Sequence, residues 1–255
     1  MDFVSINNVS FEYKKDHPVI KSINWGIPKG EFHSLIGRSG CGKTTLLKIA
    51  AGLITPTAGG VAIDNTQISF PGVKTGFVFQ APTLLEWLSV LENVLLPITV
   101  NSKKRIKHSN LALEVLETVG LKDYANHYPT ELSGGQQSRV AIARALITEP
   151  PLLLMDEPFA ALDAMTREEL QIDLLQLCHL TSTTVLFITH DISESVYLSD
   201  KIAVMDNGLI QHEFFIDIPK PRRDDIRYQT KFNKLCSDIH GSMKTSCVQR
   251  DIGNV

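Results

Sequence analysis

Gly37-Arg38-Ser39-Gly40-Cys41-Gly42-Lys43-Thr44 stands between an apolar run and a helix-forming run. It fits G-x-x-x-x-G-K-[ST], and its flanks are those the pattern requires. The apolar run Phe32-His33-Ser34-Leu35-Ile36 reads as a strand before it. Thr44 to Ala51 reads as a helix of good formers after it, closed by Gly52 where a helix end favours a left-handed residue. In such a strand, loop and helix, the glycines let successive N–H groups curl around phosphate oxygens, and the helix start adds its positive end. Lys43 is expected to neutralise the β- and γ-phosphates and the Thr44 hydroxyl to ligate Mg²⁺, with Thr45 counted among the nucleotide-binding positions. An incidental glycine turn would need neither flank.

Outward from the loop, the chain alternates two textures. Residues 3–64 are short and β-like: Val4, Ile6 and Val9 lead into Phe11 and Tyr13, and residues 19–27 alternate. Antiparallel strands are expected there. Residues 84–147 turn helical, with Leu111, Val115 and Val119 on one face and Leu116 beside them. Two buried-looking runs follow, Leu152-Leu153-Leu154-Met155 and Thr184-Val185-Leu186-Phe187-Ile188, separated by a helix with Leu170, Leu174 and Leu177 on one stripe, which is a βαβ pattern. After about Ile218 the pattern dissolves into Pro219-Lys220-Pro221-Arg222-Arg223-Asp224-Asp225 and a short polar tail. These textures predict an α/β fold: a phosphate-loop core with an antiparallel β subdomain and a helical subdomain. One domain is expected over 1–218, with its core in 1–80 and 150–218, a helical part in 81–149, and a tail in 219–255.

Composition narrows the class. With 255 residues, 43% hydrophobic and 21% charged, the chain is of ordinary globular make-up. Lys plus Arg (25) against Asp plus Glu (28) leaves a formal charge of −3, so there is no bulk basic field and no nucleic-acid partner is expected. No run of about 18 apolar residues occurs, so no helical membrane span is expected. The first residues, Met-Asp-Phe-Val-Ser-Ile-Asn-Asn, do not read as a signal peptide, and Cys41, Cys178, Cys236 and Cys247 lack metal-ligand spacing. Both point to a reducing, cytoplasmic compartment.

A Mg²⁺ held by one hydroxyl needs a carboxylate, and Asp156 ends an apolar strand where ligands of open α/β sheets bind. Glu157 beside it is placed to orient or deprotonate a water. An acidic helix start is the plainer reading of that pair. These features indicate nucleoside-triphosphate hydrolysis, which kinases, GTPases and helicases share; the guanine-specific Asn-Lys-x-Asp does not occur.

Leu132-Ser133-Gly134-Gly135-Gln136 precedes a helix-forming run, residues 138–148. Ser133 is a good N-cap, and the two glycines leave N–H groups bare at a helix start, a second anion nest remote in sequence from the first. Taken alone, Ser-Gly-Gly-Gln also suits a glycine-rich cap. At this point the chain resembles the ATP-binding cassette ATPases, whose signature is LSGGQ, and the resemblance runs its full length. It implies that Tyr13 stacks on adenine, that Gln80 after Gly76-Phe77-Val78-Phe79 reaches the metal or the water, that Asp163 closes the Ala161-Leu162-Asp163 loop, and that His190 after the strand 185–189 touches the γ-phosphate. It further implies a head-to-tail homodimer, each ATP lying between the phosphate loop of one copy and the signature of the other. As residues alone, Tyr13 also fits an ordinary strand aromatic and Gln80 a polar strand end. The remaining histidines read as structural or solvated.

The phrases Phe79-Gln80-Ala81-Pro82-Thr83-Leu84-Leu85, Val90-Leu91-Glu92-Asn93-Val94 and Pro158-Phe159-Ala160-Ala161-Leu162-Asp163-Ala164-Met165-Thr166-Arg167 are similar to the nitrate, sulfonate and taurine importer group, which includes thiamine-precursor importers. That resemblance implies an importer's energy-coupling subunit, peripheral on the inner membrane face. Its partners would be a second copy of itself, transmembrane permease subunits and, indirectly, a solute-binding protein. A soluble cassette ATPase acting on nucleic acid or ribosomes is the alternative. Three local expectations follow. Cys41, within the anion loop, should favour thiolate. Trp87 should either anchor the permease or sit in the helical core. The basic run Lys103-Lys104-Arg105-Ile106-Lys107 reads as a solvated face or a contact for anionic lipid.

Overall fold

The computed structural model describes residues 2–72, 75–101 and 108–251; the basic run 103–107 lies outside the described residues. In chain order the elements are β1 (Asp2–Lys14), β2 (His17–Pro28), β3 (Phe32–Gly37), α1 (Lys43–Ala50), β4 (Ala58–Ile63) and β5 (Thr66–Gln67). Next come β6 (Thr75–Val78), α2 (Val90–Asn101), α3 (Ser109–Thr118), α4 (Gly134–Leu146), β7 (Leu152–Asp156) and α5 (Ala164–Thr181). The chain closes with β8 (Thr184–Ile188), α6 (Ile192–Leu198), β9 (Lys201–Asp206), β10 (Leu209–Phe215) and α7 (Thr230–Asp251). Two compact units result, one from residues 1–72 and 184–255, the other from 73–183.

The first unit holds two sheet regions. One is the antiparallel meander β2-β1-β4-β5 expected from the alternating texture. It buries Val4, Ile6, Val9, Ile20, Ile23, Trp25, Ile27 and Val61. Removing each such side chain from water contributes roughly 1.5–3 kcal/mol, which is why the alternation was legible. The other region runs β10-β9-β3-β8, with β3 parallel to both β8 and β9. Every residue of β3 is buried, as a strand covered on both faces requires.

In the second unit β6 and β7 pair in parallel, Val78 opposite Met155, and the helices α2, α3 and α4 pack together. The apolar face of α3 is rotated from the expected stripe: Ala112, Leu116 and Val119 are the buried residues, while Leu111 and Val115 are half-buried. Along α5 the buried stripe is Leu170, Gln171, Leu174 and Cys178, and Leu177 is only half-buried.

The largest departure is at the C-terminus. The expected polar tail contains α7, with Phe232 and Ile239 buried against the first unit. Its apolar spacing is there in the sequence, Phe232, Leu235, Cys236 and Ile239 at i, i+3, i+4 and i+7, but it is diluted by charged neighbours. No helix among the described residues is long and apolar enough to cross a membrane.

Candidate functional site

The phosphate loop is shaped by close packing. Gly37, the last residue of β3, pairs with Met205 of β9, and a Cβ there would stand 2.2 Å from the Met205 carbonyl oxygen. Gly42 has φ +111°, and a Cβ there would stand 2.8 Å from Ile20 Cδ1 and 2.9 Å from Val19 O, so neither its conformation nor its surroundings admit a side chain. Gly40, at φ +77°, has nothing within 4 Å of where a Cβ would stand. Arg38, Ser39 and Gly40 are exposed. Lys43 is only 7% exposed and curls back over the loop, its Nζ donating to Gly37 O (2.8 Å) and Arg38 O (2.9 Å). Thr44 is half-buried and Thr45 buried. The Thr45 hydroxyl meets the Tyr13 hydroxyl at 3.3 Å. Tyr13 is otherwise 62% exposed, its ring set edge-on to Phe11.

The thiolate expected at Cys41 is corrected. Cys41 is buried under the loop, and burial pushes its thiol up, outweighing the pull of Lys43 in the other direction; Asp206 adds to the upward shift. The helix start and the lysine argue for a thiolate only where water still reaches the sulfur.

His190 is exposed, two residues beyond β8. Because Leu35 pairs with Ile188, the phosphate loop and His190 leave adjacent parallel strands at one level. The same logic operates in the second unit. With Val78 opposite Met155, Gln80 and the Asp156-Glu157 pair leave adjacent strands at one edge. Gln80 is exposed, Asp156 is buried, and Glu157 is half-buried with φ +47°. A left-handed backbone is uncommon at a glutamate.

At the signature, Ser133 caps α4. Its Oγ accepts from Gln136 N–H at 3.2 Å, and the Gln136 Oε1 accepts in return from Ser133 N–H at 2.8 Å. This is a full capping box. Leu132 is buried beneath it, and a Cβ at Gly135 would stand 3.1 Å from Leu162 Cδ2 and 3.4 Å from Ala161 O, so the signature abuts the 161–163 loop. Asp163 is exposed and caps α5, accepting from Thr166 N–H at 3.1 Å; that bond holds its carboxyl below the usual range.

Sequence reasoning missed two residues of this unit. Arg144, late in α4, donates to Pro82 O (2.8 Å), Thr83 O (2.9 Å) and Thr83 Oγ1 (3.1 Å), tying the signature helix to the loop that follows Gln80. Asn93 is wholly buried in α2. Its Oδ1 accepts from Leu85 N–H (2.8 Å), and its Nδ2 donates to the carbonyls of Leu85, Leu88 and Ser89, each at 3.0 Å. Together with the mutual capping of Ser89 and Glu92, this moulds the turn that carries Trp87, which is 73% exposed. Trp87 is not a core residue.

Among the described residues no group of three or more His, Cys, Asp or Glu side chains could hold a metal ion. Thr44 and Asp156 each carry a hard oxygen donor of the kind that Mg²⁺ takes.

Known proteins resemble this chain over most of its length. The ABC transporter family profile matches residues 20–160. The bicarbonate transport ATP-binding protein of Synechococcus elongatus is 42% identical over 247 residues, 93% of this chain; the chain spans 37% of that relative's length. The aliphatic sulfonates import ATP-binding protein of Agrobacterium fabrum is 44% identical over 219 residues, 86% of this chain and 76% of the relative. Among solved structures, a dimeric ATP-binding cassette in a post-hydrolysis state bound to ADP and Pi superposes with a TM-score of 0.78 at 37% identity, covering 85% of this chain and 100% of that one. A full-length order of motifs, an α/β fold with a phosphate loop and an LSGGQ-capped helix, and a matching family profile lead to one conclusion: the chain belongs to the ABC transporter family, as its ATP-binding cassette.

Proposed function

We propose that this chain is the ATP-hydrolysing, energy-coupling subunit of an importer for a small anionic or heterocyclic solute, working at the inner face of the cell membrane through a separate permease. The observation that carries the hydrolytic part is the glycine loop itself. Its curvature is demanded by packing at Gly37 and Gly42, and Lys43 lies over its rim.

In this reading the N–H groups of residues 38–44 hold the β-phosphate, and Lys43 leaves the loop carbonyls to pair with the β- and γ-oxygens. Tyr13 stacks on the base. Thr44, Asp156 and Gln80 would hold Mg²⁺, which supplies charge neutralisation on the phosphates. Glu157 takes a proton from a water whose oxygen attacks the γ-phosphorus. The bond to the bridging oxygen breaks, and ADP and phosphate leave. His190 contacts the γ-phosphate. Ser133, Gly134, Gly135 and Gln136 of a second copy close on the nucleotide, with Asp163 beside them. Glu157→Gln tests the assignment: turnover should fall at least about a hundredfold with MgATP binding retained, and gel filtration should show an ATP-dependent dimer. A monomer under MgATP, or turnover near the parent value, would overturn it.

For the permease, the supporting observation is the Trp87 turn. A large aromatic side chain held out on a turn fixed by four Asn93 hydrogen bonds is pre-organised for an apolar partner. Trp87→Ala should leave the melting temperature and basal ATP turnover of the isolated chain unchanged and weaken permease binding about tenfold or more. Unchanged permease affinity would remove Trp87 from that surface. The solute class rests on relatives named for bicarbonate and aliphatic sulfonates, both anions. The solute itself is selected by the permease and a solute-binding protein.

A further inference from the structure

α6 has seven residues, too few to persist as a helix unaided. Its first turn is knotted to the residues on either side of His190. Asp191 Oδ1 accepts from Glu194 N–H at 3.1 Å, Asp191 N–H donates to Thr189 Oγ1 at 3.0 Å, and Thr189 Oγ1 donates to Glu194 Oε2 at 2.6 Å. The residues that flank His190 are thereby tied to the first turn of α6. The far end of α6 is held by the C-terminal segment. Arg222, 6% exposed, donates from Nη1 to Tyr197 O at 2.7 Å and to Val196 O at 3.4 Å, and Tyr197 OH donates back to Arg222 O at 3.2 Å. The Arg227 guanidinium lies 3.7 Å from the centroid of the buried Tyr197 ring. α7 packs along α6, and Phe232 and Ile239 seal it. At its other end the segment is anchored to the strands: Ile216 N–H donates to Asp200 O, and Lys220 pairs with the Asp200 carboxylate that also accepts from Phe32 N–H.

We infer that residues 216–242 form a clamp on α6 that sets the position of His190, with Arg222 as the positioning residue; the inference rests on the reading of His190 as the γ-phosphate contact. Arg222 is held there at a desolvation cost: its Nε and Nη2 are buried without hydrogen-bond partners, and burial depresses its pKa. What the guanidinium supplies is direction: bonds to the two last-turn carbonyls, reinforced by the negative end of the helix. The clamp reaches the front of α6 as well. Cys236 of α7 is pushed up to about 11 by burial, with the charge of Asp191, the residue after His190, acting in the same sense.

The test is a double-mutant cycle in the full chain, with thermal melts, MgATP affinity and turnover measured for Arg222→Met, Arg222→Lys, Tyr197→Phe and His190→Ala. Arg222→Met should bind MgATP within about twofold of the parent yet turn over about tenfold more slowly. Arg222→Lys should recover much of that loss, and Tyr197→Phe, which deletes one hydroxyl bond, should lose less. Placed in the His190→Ala background, Arg222→Met should reduce the residual turnover no further, since both changes act on the same group. A His190→Ala enzyme with parental turnover overturns the reading of His190. Parental turnover in Arg222→Met while His190→Ala is impaired overturns the clamp, as does a loss that persists undiminished in the His190→Ala background. Should Arg222→Met fail to fold, Tyr197→Phe runs the same cycle.

Discussion

Glycine stands at the N-cap of α1 and at the first position of α4, and the two helix starts differ. α1 starts at Gly42, which is left-handed and supplies no side-chain cap, so the first N–H groups of the helix remain pointed into the loop. α4 starts at Ser133 with a complete capping box, which satisfies the Gln136 and Ser133 N–H groups internally and leaves Gly134 and Gly135 as its helix-end donors. The glycines differ too. Gly37 and Gly42 are demanded by the fold, whereas Gly134, like Gly40, has nothing within 4 Å of a would-be Cβ. One helix start is built as a deep cradle. The other is closed by its own capping box.

The comparison breaks most sharply at Lys43, which has no counterpart at α4. Lys43→Ala should lower MgATP affinity and turnover by about a hundredfold or more while the circular dichroism spectrum stays that of the parent; binding within threefold would mean that the loop's N–H groups suffice. The glycines should separate next. Gly37→Ala, with its Cβ driven onto Met205 O, should destabilise the chain by about 3 kcal/mol. Gly134→Ala should cost no stability and gain up to about 1 kcal/mol from helix propensity, yet suppress the MgATP-dependent dimer of Glu157→Gln. Chemical denaturation and gel filtration check the pair, and equal stability losses at both positions would erase the distinction.

Smaller is the cap. Ser133→Ala should destabilise by about 1 kcal/mol, seen as a melting temperature lower by a few degrees, because α4 relies on that oxygen as α1 does not. Smallest is the behaviour of Cys41. Its raised pKa means that the folded chain keeps the proton where an ordinary thiol loses it, so any stability it contributes is present at lower pH and lost as pH rises through the thiolate range. At pH 7.5 iodoacetamide should label Cys41 more slowly than in the urea-unfolded chain. Faster labelling in the fold would restore the thiolate.

The loop was legible because its chemistry is local: eight consecutive residues carry the turn, the donors and the cation, and the strand and helix around them announce themselves by period. The end of α1 at Gly52, φ +71°, was read for the same reason. The cap at Ser133 was read, while the return bond from Gln136 lay one step further along the same motif. α7 was not read, since charged residues between Phe232 and Ile239 mask an apolar face that only burial makes evident.

Local sequence carries the inventory: a phosphate loop, an LSGGQ cap, carboxylates at a strand end, a histidine at another, and the order that places the chain in its family. How those parts are held emerges only once the chain is folded. Arg144 reaches a loop 61 residues away, Asn93 shapes the turn under Trp87, Arg222 grips α6, and Cys41 loses the water that would have favoured its charge. Hydrogen bonds between distant residues and the desolvation of a side chain depend on which surfaces meet, and no local pattern encodes that meeting.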